Sequence, residues 1–231
     1  MLSVVRCEEK YPLNVAEASQ YANRFSKLLQ PDAFSKNGSY MVRSLYFDTI
    51  YDKDFFDKVN EQNIRRKIRI RIYNPDDQFA KLEIKQKQNI YQKKRSLRIT
   101  RADAMELIRG NTSVLLKYDN DFAAEVFVLM NEYCYRPKTI VQYDRRAFMA
   151  KENNIRLTFD SNIRATETDM NLFSKNLNMN LIYPADQVIF EVKYDRFLLG
   201  YIKDIISTID RRNVSSSKYC LGRKHGYPLY F

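Results

Sequence analysis

The 231-residue chain has no tryptophan, one histidine (His225), five glycines, six prolines and three cysteines. A single histidine leaves almost no material for a Ser-His-Asp triad or a multi-histidine metal centre. Cys7, Cys134 and Cys220 are odd in number and scattered, with no CxxC pair. That argues against a disulfide framework or a structural zinc site and fits a reducing compartment. No apolar run approaches the ~18 residues of a membrane span, and the start does not read as a signal peptide. A cytoplasmic protein is expected, one that would reach a membrane only through a membrane-protein partner. There is no Gly-rich phosphate loop, no βαβ alternation, no internal repeat and no low-complexity tract. So few glycines and prolines leave little room for long linkers, and one domain over residues 1–231 is expected.

What is present is a composition of 45% hydrophobic, 29% charged and 13% aromatic residues, that of a folded chain. The formal net charge is +11, which points to acidic partners. Almost all of the excess is concentrated in residues 61–101, which hold 13 Lys and Arg against 4 Asp and Glu, a net of +9. There the first run sets Ile68, Ile70 and Ile72 on one face of a strand and Lys67, Arg69 and Arg71 on the other. The second sets Leu82, Ile84 and Gln86 against Lys81, Glu83, Lys85 and Lys87. The third sets Leu97 and Ile99 against Lys94, Ser96 and Arg98. An antiparallel sheet with one wet face is ordinary, but long cationic side chains repel when they lie opposite one another on three successive strands. A polyanion facing them would remove the conflict.

The remainder reads as strands and helices joined without crossovers. Asn14 and Glu17 form a capping box for a helix from Val15 to Gln30, with Ala18, Tyr21, Ala22, Phe25, Leu28 and Leu29 inward. A first strand covers Met1 to Glu9, closed by Pro12, and Pro31 to Gly38 is a loop. Tyr40 to Thr49 carries large side chains on both faces, as a strand packed on both sides does. A short helix from Tyr51 to Asn60 would turn Phe55, Phe56 and Val59 inward. Asn74-Pro75-Asp76-Asp77 and Gln88-Asn89-Ile90-Tyr91 supply turns. Thr100 caps a helix that Gly110 stops, and another helix spans Phe122 to Tyr133. Strands follow at Thr139 to Met149, Ile155 to Asp160 and Gln187 to Tyr194, with Asn153-Asn154 as a hairpin turn. A helix is expected from Leu198 to Arg211, and a last strand from Val214 to Leu221.

The later strands also alternate: Arg156, Thr158 and Asp160 share a parity, as do Glu191 and Lys193. A sheet charged on one face of most strands either leaves that face open or closes into a barrel with the charges inside. Glu8, Glu83 and Glu191 each lie among cations on their own strand. Such carboxylates would offset repulsion in an empty lumen and can hold a divalent metal through oxygen. The fold expected is therefore α+β: a closed antiparallel barrel of about eight strands with a polar, basic lumen and helices around it.

Eight short stretches occur in a telling order: Glu8-Glu9-Lys10-Tyr11, Arg43-Ser44-Leu45-Tyr46-Phe47-Asp48-Thr49, Lys67-Ile68-Arg69-Ile70-Arg71, Leu82-Glu83-Ile84-Lys85, Tyr143-Asp144-Arg145-Arg146-Ala147-Phe148, Arg156-Leu157-Thr158-Phe159-Asp160, Glu191-Val192-Lys193-Tyr194 and Ser217-Lys218-Tyr219. Together they resemble the VTC domain, the catalytic domain of vacuolar transporter chaperone polyphosphate polymerases, in the triphosphate tunnel metalloenzyme (CYTH-like) superfamily. The resemblance covers nearly the whole chain. It implies a β-barrel tunnel, ATP as phosphoryl donor, inorganic polyphosphate as acceptor, and Mn²⁺ or Mg²⁺ as cofactor. By position, Lys10, Arg69, Arg71, Lys85, Lys94, Arg145, Arg156 and Lys218 would bind phosphates, Ser217 would add a hydroxyl, and Glu191 would hold the metal, with Glu8 and Glu83 as further metal candidates. Arg43, Lys87 and Lys193 are added as phosphate-binding candidates. The catalytic set is Arg69, Arg71, Lys85, Arg145, Arg156 and Glu191. Where the family can carry a further Lys three residues before Lys218, this chain has Ser215, implying a less basic chain exit. The family's accessory phosphate-sensing and membrane domains are not found in this sequence.

Two other functions compete. A tunnel triphosphatase would share the phosphate clamp and differ only in whether water or phosphate attacks. A non-catalytic binder of polyphosphate or nucleic acid would also use basic charge. Nucleic acid is not expected, because isoleucines rather than aromatics interleave the central cations and no base-stacking platform is evident. The strand parity carries its own test. Arg69→Ala or Arg71→Ala is expected to abolish triphosphate binding with the fold retained, whereas Ile70→Asp buries a charge and should unfold the protein. Thermal melts in which Arg69→Ala falls as far as Ile70→Asp would show the faces to be misassigned.

Overall fold

The computed structural model describes residues 6–35, 38–89 and 91–224. Residues 1–5 of the expected first strand, residues 36 and 37 of the Pro31–Gly38 loop, Ile90 of its turn and His225 lie outside the described residues. The elements in chain order are β1 (Arg6–Asn14), α1 (Val15–Ser26), β2 (Gln30–Pro31), β3 (Tyr40–Asp48), α2 (Lys53–Val59), β4 (Ile64–Ile72), β5 (Phe79–Gln88), β6 (Tyr91–Thr100), α3 (Arg101–Ile108), α4 (Asp121–Glu132), β7 (Arg136–Met149), β8 (Arg156–Thr166), β9 (Asn180–Leu181), β10 (Gln187–Asp195), α5 (Gly200–Ser207) and α6 (Lys218–Lys224), with 3₁₀ turns at Thr112–Lys117 and Glu152–Asn154.

The strands hydrogen-bond in the order β1-β10-β8-β7-β3-β4-β5-β6, with β2 on β7 and β9 on β8. The pairs whose register is defined are antiparallel. The expected α+β class with a large antiparallel sheet is found. The expected closure is not: among the described residues no hydrogen-bonded ladder joins β1 to β6. Alternation decides which side chains share a face; it does not decide whether the two end strands pair.

The chain forms two compact units. The first draws on Met1–Met41, Tyr143–Ile163 and Tyr183–Ser217, the second on Val42–Gln142, Arg164–Ile182 and Lys218–Phe231. Each has its own core. In the first, Ala18, Ala22 and Phe25 of α1 pack with Leu157 and Phe159 of β8, Phe190 and Val192 of β10 and Ile202 of α5. In the second, Ile68, Ile70 and Ile72 of β4 and Leu82 and Ile84 of β5 are wholly buried with Val126 and Met130 of α4. The alternation in the basic strands thus places its isoleucines inward.

Local signals set most boundaries. Asn14 and Glu17 close the capping box through reciprocal 2.8 Å bonds. Thr100 Oγ1 accepts from Asp103 N at 3.1 Å to start α3, and Gly110, at φ +96°, stops it. Asp77 Oδ2 accepts from Tyr73 N and Asn74 N, holding the β4–β5 turn. Pro12 does not close β1; it pairs with Ile189 inside the strand. That is tolerated because β1 is an end strand and needs no outward N–H. Helix α1 ends at Ser26, which leaves Leu28 exposed. In α2 only Phe55 turns inward, while Phe56 and Val59 are exposed. The helix expected to reach Arg211 ends at Ser207.

The tail is the largest local correction. Residues 218–224 are helical, where a strand over Val214–Leu221 is expected from sequence. Tyr219, Cys220 and Gly222 are its buried residues, a helical rather than an alternate spacing. A Cβ on Gly222 would meet Val141 Cγ2 at 3.1 Å and Ala165 Cβ and Thr139 Oγ1 at 3.2 Å, a tight fit in which those side chains would have to give by a few tenths of an ångström. Among the described residues no helix is long and apolar enough to cross a membrane.

A buried acid lies beside α2. Asp48, wholly buried, accepts from Thr49 N at 2.7 Å, from Asp54 N and Phe55 N at 2.9 Å each, and from the Tyr219 hydroxyl. Asp54 accepts from the Tyr135 hydroxyl at 2.9 Å. Burial, and then the charge of Asp48, push Asp54 up to about 7 from an ordinary 3.8. A carboxyl raised on folding holds a proton that stabilises the native state below its unfolded value, and that contribution is lost as pH rises through the folded value. Asp54 should therefore make stability decline from pH ~4 to pH ~7. Melting temperatures across that range should show a flatter profile for Asp54→Asn; an identical slope in both proteins would mean that Asp54 is not raised.

Candidate active site

In the first unit the β1–β10 register sets Lys10 opposite Glu191 and Glu8 opposite Lys193. Lys10 Nζ lies 3.1 Å from Glu8, 3.5 Å from Glu191 and 2.6 Å from Ser216 O, so one ammonium is shared by two carboxylates. Glu191 is buried, contacts the Lys193 ammonium and lies 3.8 Å from Arg145 Nη2. Burial outweighs the attraction of Glu191 and Glu8 and brings Lys193 down to about 8. Arg145 forks onto Asp160, with Nε and Nη2 each 2.7 Å from a carboxylate oxygen. Although burial opposes its charge, Asp160 holds that guanidinium well above its ordinary value. Arg156 pairs with Asp32 and donates to the Tyr40 hydroxyl at 3.1 Å. Four cations here, Lys10, Arg145, Arg156 and Lys193, stand with five carboxylates: Glu8, Asp32, Asp160, Glu191 and the nearby Glu9, which receives the Tyr11 and Tyr194 hydroxyls.

The second unit is built differently. Its register aligns Arg65 with Lys87, Lys67 with Lys85 and Lys94, and Arg69 with Glu83 and Ser96. Glu83 is the one carboxylate in those rows. It is buried, 2.7 Å from Arg69 Nε and 3.9 Å from Arg71 Nε, and in contact with Lys94. Burial alone would raise its pKa, but Arg69, Arg71 and Lys94 bring it down to about 2. Lys87 is lowered by burial and by Arg65, Lys58 and Lys85. Strand β3 adds two hydroxyls: Tyr46 accepts from Arg69 Nη1 and Ser44 from Arg71 Nε, both at 3.1 Å.

Each candidate from sequence thus has a place. Glu8, Lys10, Arg145, Arg156, Glu191 and Lys193 gather in the first unit. Arg69, Arg71, Glu83, Lys85, Lys87 and Lys94 gather in the second. Ser217 and Lys218 stand at the start of α6. Arg43 is engaged elsewhere in the second unit: its guanidinium donates to Gln142 Oε1 at 2.7 Å, Leu172 O at 2.9 Å and Ser174 O at 2.5 Å, pinning the 172–174 segment to β3. Arg69 carries a second duty as a counter-ion of Glu83, so Arg69→Ala removes charge compensation from a buried acid and costs more stability than strand parity alone suggests. The partners that sequence reasoning missed are Asp160 for Arg145, Asp32 for Arg156, and the hydroxyls of Ser44 and Tyr46. The parity of Tyr46 with Ser44 on β3 was the available signal for the last pair, masked by a strand that is buried on both faces.

The expected divalent cation can be tested against these donors. Among the described residues no three His, Cys, Asp or Glu side chains gather as a metal cage. A magnesium-like ion does not need one: it keeps several waters and takes one or two carboxylates together with substrate oxygens. Glu8 and Glu191, already sharing one cation in Lys10, fit that demand. Glu83, tied by three cations, fits it less well.

Among curated proteins nothing matches the chain. Solved structures do. A putative adenylyl cyclase from Hippeastrum, described as having a dominant triphosphatase activity, is 14% identical with a TM-score of 0.58 over 96% of this chain and 97% of its own. A putative adenylate cyclase from Bacillus halodurans is 11% identical with a TM-score of 0.52 over 93% and 94%. At such identities these likenesses show a shared fold. The family model of the VTC domain matches residues 5–227, almost the full length that carries both clusters, and the chain therefore belongs to the VTC domain family.

Proposed function

We propose that this chain, acting as one catalytic domain, transfers the γ-phosphoryl group of ATP to the end of an inorganic polyphosphate chain. The observation that carries this reading is the excess of cations over carboxylates around Glu83. The register opposes Arg65 to Lys87, Lys67 to Lys85 and Lys94, and Arg71 to Lys81 and Arg98, and the one carboxylate among these rows is Glu83, opposite Arg69. Repulsion of that kind is relieved by a ligand with several negative charges in a line, which is what a triphosphate or polyphosphate supplies. Membership of the VTC domain family supports the same reading.

In this mechanism Arg69, Arg71, Lys85 and Lys94 bind and align phosphoryl oxygens, with Lys87 extending the row. Phosphoryl transfer needs little covalent help from a protein; it needs the reactants in line and the spreading charge neutralised. Arg145 and Arg156, held by Asp160 and Asp32, are pre-oriented guanidinium groups, so little side-chain entropy is lost on meeting an anion. Lys10, Lys193, Ser217 and Lys218 add donors. A Mn²⁺ or Mg²⁺ ion, held by Glu191 and Glu8, would neutralise phosphate charge and orient the oxygens. Glu83 offsets part of the positive charge of Arg69, Arg71 and Lys94.

A second reading is hydrolysis of triphosphate, favoured by the triphosphatase activity described for the Hippeastrum neighbour and by Ser215 where a further cation would hold a growing chain. Incubation with ATP and Mn²⁺ separates the two. Long polyphosphate on a gel is expected; free phosphate without polymer would replace polymerisation by hydrolysis.

Glu191→Gln tests the carboxylate. Turnover should fall by roughly 100-fold or more, as for loss of a key electrostatic group, while triphosphate affinity without metal holds or rises because a repulsive charge has gone. If Glu191 serves only as a partner of Lys10 and Lys193, the variant should melt earlier and keep near-normal turnover at low Mn²⁺. Activity as a function of Mn²⁺, read beside a thermal melt, decides between these outcomes.

A further inference from the structure

Strand β3 offers a pair of hydroxyls that neither the alternation of charge nor the family resemblance singles out. In the β3–β4 register Ser44 lies opposite Arg71 and Tyr46 opposite Arg69. Each hydroxyl oxygen accepts one hydrogen bond from its own arginine, Arg71 Nε to Ser44 Oγ and Arg69 Nη1 to Tyr46 Oη, both at 3.1 Å. An accepting hydroxyl still has its hydrogen to give. Among the described residues neither hydroxyl donates to a protein acceptor. Both side chains are buried, at 1% and 6% exposure, where an unused donor is costly unless something takes it.

The surroundings select what that acceptor is. Arg69, Arg71 and Lys67 of β4 surround the Tyr46 phenol, and Tyr219 of α6 stacks on its ring at 5.0 Å between centroids. Burial would push the phenol up, yet the charges of Arg69, Arg71 and Lys67 and the bond from Arg69 hold it below its ordinary value. An acceptor that reaches these hydroxyls must tolerate, and is favoured by, three positive neighbours. A carboxylate of the protein is already present in Glu83, but it is engaged with Arg69, Arg71 and Lys94. A phosphoryl oxygen fits: it accepts several donors at once, and a guanidinium beside a hydroxyl presents two donors to one phosphate group.

Resting on the triphosphate reading, we propose that Ser44 and Tyr46 are direct phosphate ligands, each donating its hydroxyl hydrogen to a phosphoryl oxygen that the paired arginine also binds. The site then reads its ligand with neutral donors two residues apart on β3, in addition to charge. Tyr219 lies outside the proposed contact: its ring stacks on the Tyr46 ring and its hydroxyl is spent on Asp48.

The experiment uses the full chain and inorganic triphosphate without metal. Calorimetry should give about tenfold weaker binding for Ser44→Ala and for Tyr46→Phe, the scale of a hydrogen bond to a charged group. Both variants should keep melting temperatures near that of the parent, and Ser44→Thr, which restores a hydroxyl, should recover affinity. Tyr219→Phe, which removes the bond to Asp48 and keeps the stacked ring, should lower the melting temperature and leave affinity close to the parent's. A crystal structure with triphosphate should place phosphoryl oxygens about 2.5–3.0 Å from Ser44 Oγ and Tyr46 Oη. Triphosphate held by Arg69 and Arg71 with neither hydroxyl in reach, or unchanged affinity in both hydroxyl variants, overturns this proposal and leaves the function standing. A parent protein that does not bind triphosphate removes both.

Discussion

The second unit depends on one buried carboxylate. Glu83 is the only anion in the rows where β4, β5 and β6 bring Lys and Arg face to face, and three cations converge on it. Exposed ion pairs contribute little, because water screens them and long side chains lose freedom. Glu83 is not in that class. It is nearly out of water, and loss of its charge would leave Arg69, Arg71 and Lys94 opposed without compensation; breaking buried pairs of this kind typically costs about 3–5 kcal/mol. One negative charge among these rows offsets part of the repulsion between the strands.

The first unit resolves the same difficulty with matched charges. Lys10 is shared between Glu8 and Glu191, Arg145 is forked onto Asp160, and Arg156 is held by Asp32. Its cations are therefore fixed in direction by carboxylates of their own unit, whereas in the second unit three cations converge on one carboxylate.

Much of this was legible in the sequence because strand periodicity is a strict rule. Ile68, Ile70 and Ile72 had to share a face, which placed Arg69 and Arg71 together on the other. Caps and turns at Asn14, Thr100 and Asp77 were legible for the same reason: short-range chemistry decides them. What was not legible depends on distant parts of the chain. The pairing of Arg145 with Asp160 follows from how β7 and β8 run together. The fastening of Arg43 to the carbonyls of Leu172 and Ser174 requires a segment about 130 residues away. Helix α6 was mistaken for a strand because its seven residues are too few for a 3.6-residue period to declare itself against a period of two. Whether the end strands pair was not legible for a related reason, since it is a property of the whole sheet; among the described residues no ladder joins them.

Helix α6 has a kinetic consequence. Its seat is made by residues far back in the chain: Tyr219 bonds Asp48 across 171 positions, Arg223 bonds Asp52 across the same separation, and Gly222 packs closely against Thr139, Val141 and Ala165. On a ribosome, residues 218–224 emerge after every other described element, so β3, α2 and β4 must wait with the Asp48 carboxylate lacking its hydroxyl donor and the Tyr46 ring uncovered. Contacts of such sequence separation are slow to form and come late. Lys218 and the ring that backs Tyr46 therefore arrive together, after the strands that carry Arg69, Arg71 and Glu83.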